Sequence, residues 1–321
     1  MATVYIGCRR GTDGGPELAA LKVVKDELAT NTDFHAMFLD EARILSRLSH
    51  PNIIETFDYG VSDGSSYIAL ELLLGRTLMD AWDVATGRKR RMPMDLAAWI
   101  CARVAEGLHY AHELRDEDQK PFDLIHRDVN PSNIFLTYDR RVKLLDFGLA
   151  RARGRVSRTA DGVVKGKIPY LAPEQVTEDK IDRRVDVYAL GSTLWEMTTG
   201  QRLFKRDNDV ATIRAIQKGE IPDARQIRPE YPEDLWEVLA RALERDRDKR
   251  YATAAEFGRD LDVWLDQRGR SSLDIVLEEW LESVFPGESE KQTGWLRDVT
   301  RRSRPPPAAT MAPPAPLPET D

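Results

Sequence analysis

The feature that most constrains this chain is a pair of short motifs near its middle. The first runs from His126 to Asn133 and reads HRDVNPSN, which places the carboxylate of Asp128 five residues before the amide of Asn133. The second, VKLLDFG, supplies another carboxylate, Asp146, directly after a short apolar run. Carboxylate and amide oxygens are the ligands that Mg²⁺ prefers. The order and spacing therefore indicate a fold that brings these three side chains to one site.

The hydrophobic pattern changes along the chain and predicts the fold class. Strand-like segments dominate the N-terminal quarter, at 3–8, 18–24, 53–59 and 67–72, with a helical pattern at 34–48. Beyond Gly75 helical patterns take over, at 96–108, 185–199, 233–245 and 253–267. These segments predict an α+β chain in which a small β-rich lobe precedes a larger helical lobe.

With these motifs and this order of strands and helices, the chain resembles a bacterial eukaryotic-type (Hanks-type) Ser/Thr protein kinase over roughly residues 1–268. The resemblance implies a two-lobed protein-kinase fold, with an N-lobe at 1–74 and a C-lobe at 75–268. It also implies transfer of the ATP γ-phosphate to protein hydroxyls, with Asp128 as catalytic base and Asn133 and Asp146 as Mg²⁺ ligands. Lys22 would hold the ATP phosphates, and Glu41 would be its ion-pair partner.

The family pattern also implies a nucleotide site between the lobes. Ala20 and Phe135 would enclose the purine, and Leu70 would be the gatekeeper. Backbone groups of Glu71 and Leu73, in the hinge, would contact adenine. Val4 would be the valine that closes the phosphate-covering loop.

Other motif residues are predicted to support the site. Glu174, in the APE segment, would pair with a buried Arg250, and Asp186 would brace the catalytic loop through backbone hydrogen bonds. His126 would pack beneath the metal-binding Asp and would not act as a general base. Arg127 resembles the arginine that pairs with a phosphorylated activation loop, and a simple ion pair is the alternative.

The catalytic loop departs from the family pattern at one position. Family members usually carry Lys two residues after the catalytic Asp, where this chain has Asn130. In the segment KGKIPYLAPE, Lys167 occupies a position where the family usually has Thr. Either Lys167 restores the missing ammonium, or it is a surface lysine that binds substrate or solvent. Ser157 and Thr159, in the preceding Arg-rich segment, are candidate phosphorylation sites.

A second departure lies at the N-terminus. Aligning Val4 with the closing valine of G-x-G-x-x-G-x-V puts Ala2 at the third glycine, so the first two glycines and most of the first strand would precede Met1. Many relatives read GGMA-x-VY here. We therefore expect Met1 to be an internal methionine of a longer natural protein.

The C-terminal region is predicted to be a helical extension at 269–300 and a tail at 301–321. Residues 273–284 carry one apolar stripe, which either packs on its own domain or receives a partner. The tail holds seven of the 18 prolines and few large apolar side chains, so we expect it to be disordered.

Composition excludes several classes of protein. A net charge of −7 argues against a nucleic-acid binder, and the chain has no apolar run of about 18 residues for a membrane span. Two isolated cysteines, Cys8 and Cys101, fit a reducing cytosol, so we expect a cytoplasmic protein. The oligomeric state is left open.

Three functional interpretations share this fold. The leading one is an ATP- and Mg²⁺-dependent kinase acting on protein Ser/Thr residues, because Pro131 resembles Ser/Thr members and tyrosine kinases have an Ala-Arg-rich loop there. The absent glycines and Asn130 favour a pseudokinase scaffold, whereas the retained Lys22 and Glu41 oppose it. A small-molecule phosphotransferase is the third, and the APE segment argues against it.

Overall fold

The computed structural model describes residues 2–10, 16–24, 38–39, 42–62, 64–147, 168–177 and 180–302. Its N-terminal part is a four-stranded antiparallel sheet in the order β1-β2-β4-β3. The strands are β1 (Ala2–Arg10), β2 (Pro16–Val24), β3 (Thr56–Ser62) and β4 (Ser65–Glu71). Residues 38–39 and 42–45 are helical, within the helix predicted at 34–48. A small core of Val24, Phe38, Ala42 and Ile68 joins this segment to the sheet.

The third strand begins later than the sequence predicted. We expected a strand at 53–59, but Ile53 forms an isolated bridge with Leu144 in the helical lobe and is 2% exposed. The backbone N–H of Ile54 donates to the carbonyl of Leu144 over 3.0 Å. This segment therefore belongs to the contact between the lobes, and β3 starts only at Thr56.

A second sheet and a set of helices form the larger lobe. The sheet contains β5 (Gly75–Thr77), β6 (Ile134–Thr137) and β7 (Val142–Leu144). The first helices are α1 (Leu78–Gly87), α2 (Met94–His112), α3 (Pro173–Thr177), α4 (Arg184–Thr199) and α5 (Asp209–Lys218). They are followed by α6 (Ala224–Ile227), α7 (Glu233–Ala242), α8 (Ala254–Asp266), α9 (Leu273–Val284) and α10 (Glu288–Arg302).

Helix α4 is the centre of this lobe. Each of its residues from Val185 to Thr199 is buried, and it ends at Gly200 in a left-handed conformation (φ 74°), as the sequence predicted. Its buried hydroxyls bond to its own backbone, for example Ser192 to the carbonyl of Tyr188 and Thr199 to that of Trp195. The buried hydroxyl groups of this helix are tolerated because each of these donors has a carbonyl acceptor.

Two predicted helices have the faces that the sequence indicated. The α2 stripe of Leu96, Ile100, Val104 and Leu108 is at most 1% exposed. The α9 stripe is buried against its own domain, so a docking role for this face is wrong. Helix α10 runs to Arg302, beyond our boundary for the tail, and residues 303–321 lie outside the described part. No helix in the described ranges has the length and apolar character to cross a membrane.

Candidate active site

The β6–β7 hairpin brings two of the predicted metal ligands to one end. Ile134 pairs with Leu144 in this hairpin. The next residues outward, Asn133 and Leu145, face each other, and the N–H of Leu145 donates to the carbonyl of Asn133 over 2.8 Å. Asp146 is the following residue, so the hairpin carries Asn133 and Asp146 at the same end of the small sheet.

The predicted catalytic base, Asp128, is fixed by its own loop. Its carbonyl oxygen accepts hydrogen bonds from Nδ2 of Asn130 at 2.7 Å and from Nδ2 of Asn133 at 2.8 Å. The same Asn133 nitrogen lies 3.0 Å from Oδ2 of Asp128. The loop therefore fixes both the backbone and the carboxylate of Asp128, which is 8% exposed.

Asn130 is used inside the loop. Its Oδ1 accepts the backbone N–H of Ser132 at 3.0 Å and caps the short 3₁₀ turn Pro131–Asn133. Its Nδ2 donates to Asp128, and the residue is 2% exposed. Both ends of the amide therefore bond to loop backbone, and Asn130 does not reach out of the loop as the usual lysine does.

Lys22 connects the two lobes at this site. Its Nζ lies 2.6 Å from Oδ1 of Asp146. Lys22 sits in the middle of β2, where it pairs with Val4 on one side and Ile68 on the other. The expected partner, Glu41, lies outside the described residues, so that pairing stays a prediction.

The oxygen atoms at this site suit a magnesium ion. Because Asn133 uses Nδ2 within the loop, its Oδ1 is the atom available to a cation, and in the described part of the chain no hydrogen bond uses it. Asp146 retains Oδ2 beside the oxygen bound to Lys22. Two protein oxygens are typical of Mg²⁺ sites, which take further ligands from water and phosphate. No cluster of three or more His, Cys, Asp or Glu that could hold a metal occurs within the described ranges.

His126 links the catalytic loop to the segment that carries Asp146. Its Nε2 lies 2.9 Å from the carbonyl of Leu145, and its Nδ1 accepts the N–H of Asp128 at 3.3 Å. A carbonyl only accepts, so the imidazole is neutral with its proton on Nε2. Complete burial lowers the pKa of His126, which keeps this tautomer uncharged. The ring also packs 4.5 Å from that of Phe147, as expected for a structural histidine.

Asp186 braces the loop from beneath. Its Oδ2 accepts the N–H of His126 and the Nε2 proton of His112, and its Oδ1 accepts the N–H of Arg127, each at 2.8 Å. Burial by itself would raise the pKa of Asp186, but these donors outweigh it and hold the pKa below its usual value. Arg127 has a left-handed backbone (φ 62°), and this carboxylate stabilises it.

The predicted purine-binding residues lie on strands that meet between the lobes. Ala20 pairs with Leu70 in the register of β2 and β4, and both are partly exposed. On β6 the neighbours of Phe135, Ile134 and Leu136, are fully buried. Strand alternation turns the partly exposed Phe135 ring to the opposite face, as a purine-stacking role requires.

The predicted hinge contains an ion-pair cluster that was not predicted from the sequence. Oε2 of Glu71 lies 2.7 Å from Nζ of Lys143, and Oε1 lies 2.5 Å from Nη1 of Arg141. Burial opposes ionisation of Glu71, but its two cationic partners lower its pKa overall. The N–H of Glu71 donates to the carbonyl of Glu55 over 2.9 Å, so a contact with adenine would use its carbonyl. The sequence feature that points to this cluster is Lys143, a charged residue between the apolar residues of β7, whose residues are all buried.

Two further pairs hold the segment around APE. Arg250 and Glu174 form the predicted buried ion pair, with parallel bonds of 2.6 and 2.8 Å. Tyr170 donates to Glu196 at 2.7 Å, and Nη1 of Arg202 approaches the same carboxylate at 3.1 Å. Burial nevertheless raises the pKa of Glu196. We did not predict this second cluster, because its members lie 26 and 32 residues from Tyr170 and share no motif.

The structure thus brings Asp128, Asn130, Asn133, Asp146 and Lys22 together. Four predicted residues lie outside the described part of the chain: Glu41, Ser157, Thr159 and Lys167.

Comparison with known proteins gives one family. The family model described as "Protein kinase domain" matches residues 1–259. Tyrosine-protein kinase MasK of Myxococcus xanthus (strain DK1622) is 37% identical over 311 residues, which is 97% of this chain and 47% of MasK. Serine/threonine-protein kinase PknB of Mycobacterium leprae (strain TN) is 36% identical over 248 residues, 75% of this chain and 38% of PknB. The chain spans less than half the length of these relatives.

Solved structures agree with this result. The crystal structure of the Mycobacterium tuberculosis PknI kinase domain matches with a TM-score of 0.60 and 30% identity. The match covers 82% of this chain and 91% of the PknI chain. This match supports the protein-kinase fold, with a small antiparallel sheet and a larger helical lobe.

Proposed function

Because this chain belongs to the protein kinase family, we propose that it transfers the γ-phosphate of ATP to hydroxyl groups of proteins. The observation that carries the proposal is the arrangement of Asp128, Asn133 and Asp146, with Lys22 paired to the last of them. These groups are a base, two oxygen ligands and a cation, which are the parts that phosphoryl transfer needs.

Asp128 is the residue that we assign to the acceptor hydroxyl. Its carboxylate would accept the hydroxyl proton as the oxygen attacks the phosphoryl group, and the amide of Asn133 orients it at 3.0 Å. Lys22 would bind the ATP phosphates from the N-lobe. Mg²⁺, held by Asn133 and Asp146, would supply charge neutralisation on those phosphates.

Asn130 acts as a positioning residue in this proposal. Its amide donates to the carbonyl of Asp128 and so holds the loop closed. The longer side chain of a lysine would make this short contact less well. The positive charge that the usual lysine provides must then come from elsewhere. We propose Lys167 as its source, because it lies in the segment that leads to APE.

The acceptor residue has two candidates. Similarity to PknB and the proline at position 131 favour Ser and Thr. The name of MasK favours Tyr, and MasK aligns with nearly the whole chain. Pro131 is buried at the start of the 3₁₀ turn, so the backbone here is stiff. We favour Ser/Thr as the acceptors.

One assay tests the activity and the acceptor together. The chain is incubated with radiolabelled ATP, Mg²⁺ and a mixed protein substrate, and the labelled product is hydrolysed for phosphoamino acid analysis. We expect phosphoserine and phosphothreonine from the wild type and none from Asp146→Asn or Asp128→Asn. Phosphotyrosine alone would shift the assignment to Tyr. ATP binding without any transfer would favour the pseudokinase alternative, which Asn130 motivates.

A further inference from the structure

The C-terminal extension, defined here as α9 and α10 (273–302), reaches the strand that follows the predicted hinge. Helix α9 is fixed to the large lobe by its buried stripe: Leu273, Leu277, Trp280, Leu281 and Val284 are at most 8% exposed. Arg88 donates to the carbonyl of Val284 over 2.7 Å, and Arg140 pairs with Glu278. The extension therefore has a rigid base from which α10 projects.

Helix α10 contacts β5 through two side chains. Glu288, in its first turn, lies 2.8 Å from Nη2 of Arg76. Gln292, one turn later, makes two bonds to the backbone of Gly75. Its Oε1 accepts the N–H of Gly75 at 3.1 Å, and its Nε2 donates to the carbonyl at 3.4 Å. The amide of Gln292 thus takes the place of a neighbouring strand along the free edge of β5.

Gly75 allows β5 to pack closely on β6 because it lacks a side chain. A Cβ there would lie 2.0 Å from the carbonyl oxygen of Leu136. Glycine therefore lets β5 lie tightly against β6, where Gly75 pairs with Thr137 and Thr77 pairs with Phe135. The strand is held on one edge by β6 and on the other by Gln292.

This arrangement connects α10 to the nucleotide site. Leu73, a predicted adenine contact, lies two residues before Gly75, and Phe135, the predicted purine platform, pairs within the same small sheet. A shift of β5 would move the hinge backbone and the platform relative to each other. The relative MasK aligns with 97% of this chain, so its similarity includes most of the extension, whereas the family model ends at residue 259.

We propose that Gln292 is a positioning residue for nucleotide binding, which fixes the hinge by holding the backbone of Gly75. The proposal rests on the proposed function, since it assigns the hinge to ATP. It places part of the nucleotide-binding apparatus outside the region that the family model covers.

The test compares Gln292→Ala and Gln292→Glu with Arg297→Ala, an exposed change on the same helix. Binding of Mg·ATP is measured by calorimetry, followed by the KM for ATP, kcat and the Tm without nucleotide. We expect Gln292→Ala to weaken Mg·ATP binding and raise KM about fivefold, with kcat within about twofold, because a buried N–H loses its acceptor. Gln292→Glu keeps that acceptor and should be intermediate, and Arg297→Ala should match the wild type.

The outcomes separate this inference from the proposed function. Wild-type protein that fails to bind Mg·ATP would overturn both. If the wild type binds and Gln292→Ala binds equally well, the inference alone is wrong. A lower Tm with unchanged Mg·ATP affinity would show that Gln292 only stabilises the fold, and would also overturn the inference.

Discussion

Replacing Asp186 by Asn removes the charge beneath the catalytic loop while preserving its shape. The carboxylate accepts three donors at 2.8 Å, two at Oδ2 and one at Oδ1. An asparagine can keep its carbonyl at the Oδ2 position and so retain the bonds from His112 and His126. Its NH₂ group would then face the N–H of Arg127, which loses its acceptor while it remains left-handed.

The expected cost follows from these bonds. A buried donor without a partner costs about 1–3 kcal/mol, and the two retained bonds weaken because the acceptor is neutral. Part of this loss is offset, because the variant no longer has the desolvation cost of a buried charge. We expect Asp186→Asn to lower the free energy of unfolding by about 2–4 kcal/mol, a large share of the roughly 5–15 kcal/mol of a typical domain. It should also lower kcat, because Asp128 follows directly on the braced backbone.

Urea titration and kinase assays on the same preparations test this prediction. Asp118→Asn is the control, since its side chain is 79% exposed and should change stability by less than about 0.5 kcal/mol. The folded state holds the pKa of Asp186 low, so its stabilisation is present above about pH 4 and is lost as the pH falls below that. Asp186→Asn should lack this acid-dependent loss. A variant within about 1 kcal/mol of the wild type, with unchanged kcat, would refute the reasoning.

Three more predictions concern the same region. Asn130→Ala should lower the free energy of unfolding by about 1–2 kcal/mol, because the turn Pro131–Asn133 loses its cap; an unchanged urea midpoint would contradict this. Lys167→Ala and Lys167→Met should each lower kcat about 10²-fold or more, whereas Lys167→Arg should keep most activity; unchanged turnover in the first two would exclude the proposed charge. Because burial lowers the pKa of His126, the unfolded chain takes up a proton first, and stability should fall as the pH drops below about 6.5. His126→Asn should show a weaker fall in Tm between pH 6.5 and 5 than the wild type.

The catalytic groups could be predicted because they lie close together in the sequence. Asp128 and Asn133 are five residues apart in one loop, and the β6–β7 hairpin that carries Asp146 is short. Motif spacing therefore encodes most of this geometry. The role of Asn130 could not be read in the same way, because its residue type does not show whether the amide points into the loop or out of it.

Long-range partners were beyond the sequence for a different reason. Gln292 and Gly75 are separated by 217 residues, and nothing local to either indicates the other. Helix α10 is polar along most of its length, and its three large apolar residues, Trp295, Leu296 and Val299, are too few to predict its partner. Helix α1 was missed despite a readable signal. Thr77 caps it, and its buried residues Leu78, Ala81, Trp82 and Ala85 follow helical spacing.

The exposed connection between α8 and α9 has a consequence for proteolysis. Residues 266–272 are all exposed and include Arg268 and Arg270, both possible tryptic cleavage sites. A cut there would leave the extension held only by noncovalent contacts, chiefly the buried stripe of α9, in which each large side chain contributes about 1.5–3 kcal/mol. The two fragments would then associate by mass action, and dilution would release the C-terminal fragment. ATP affinity of a nicked sample should therefore depend on protein concentration, whereas that of the intact chain should not.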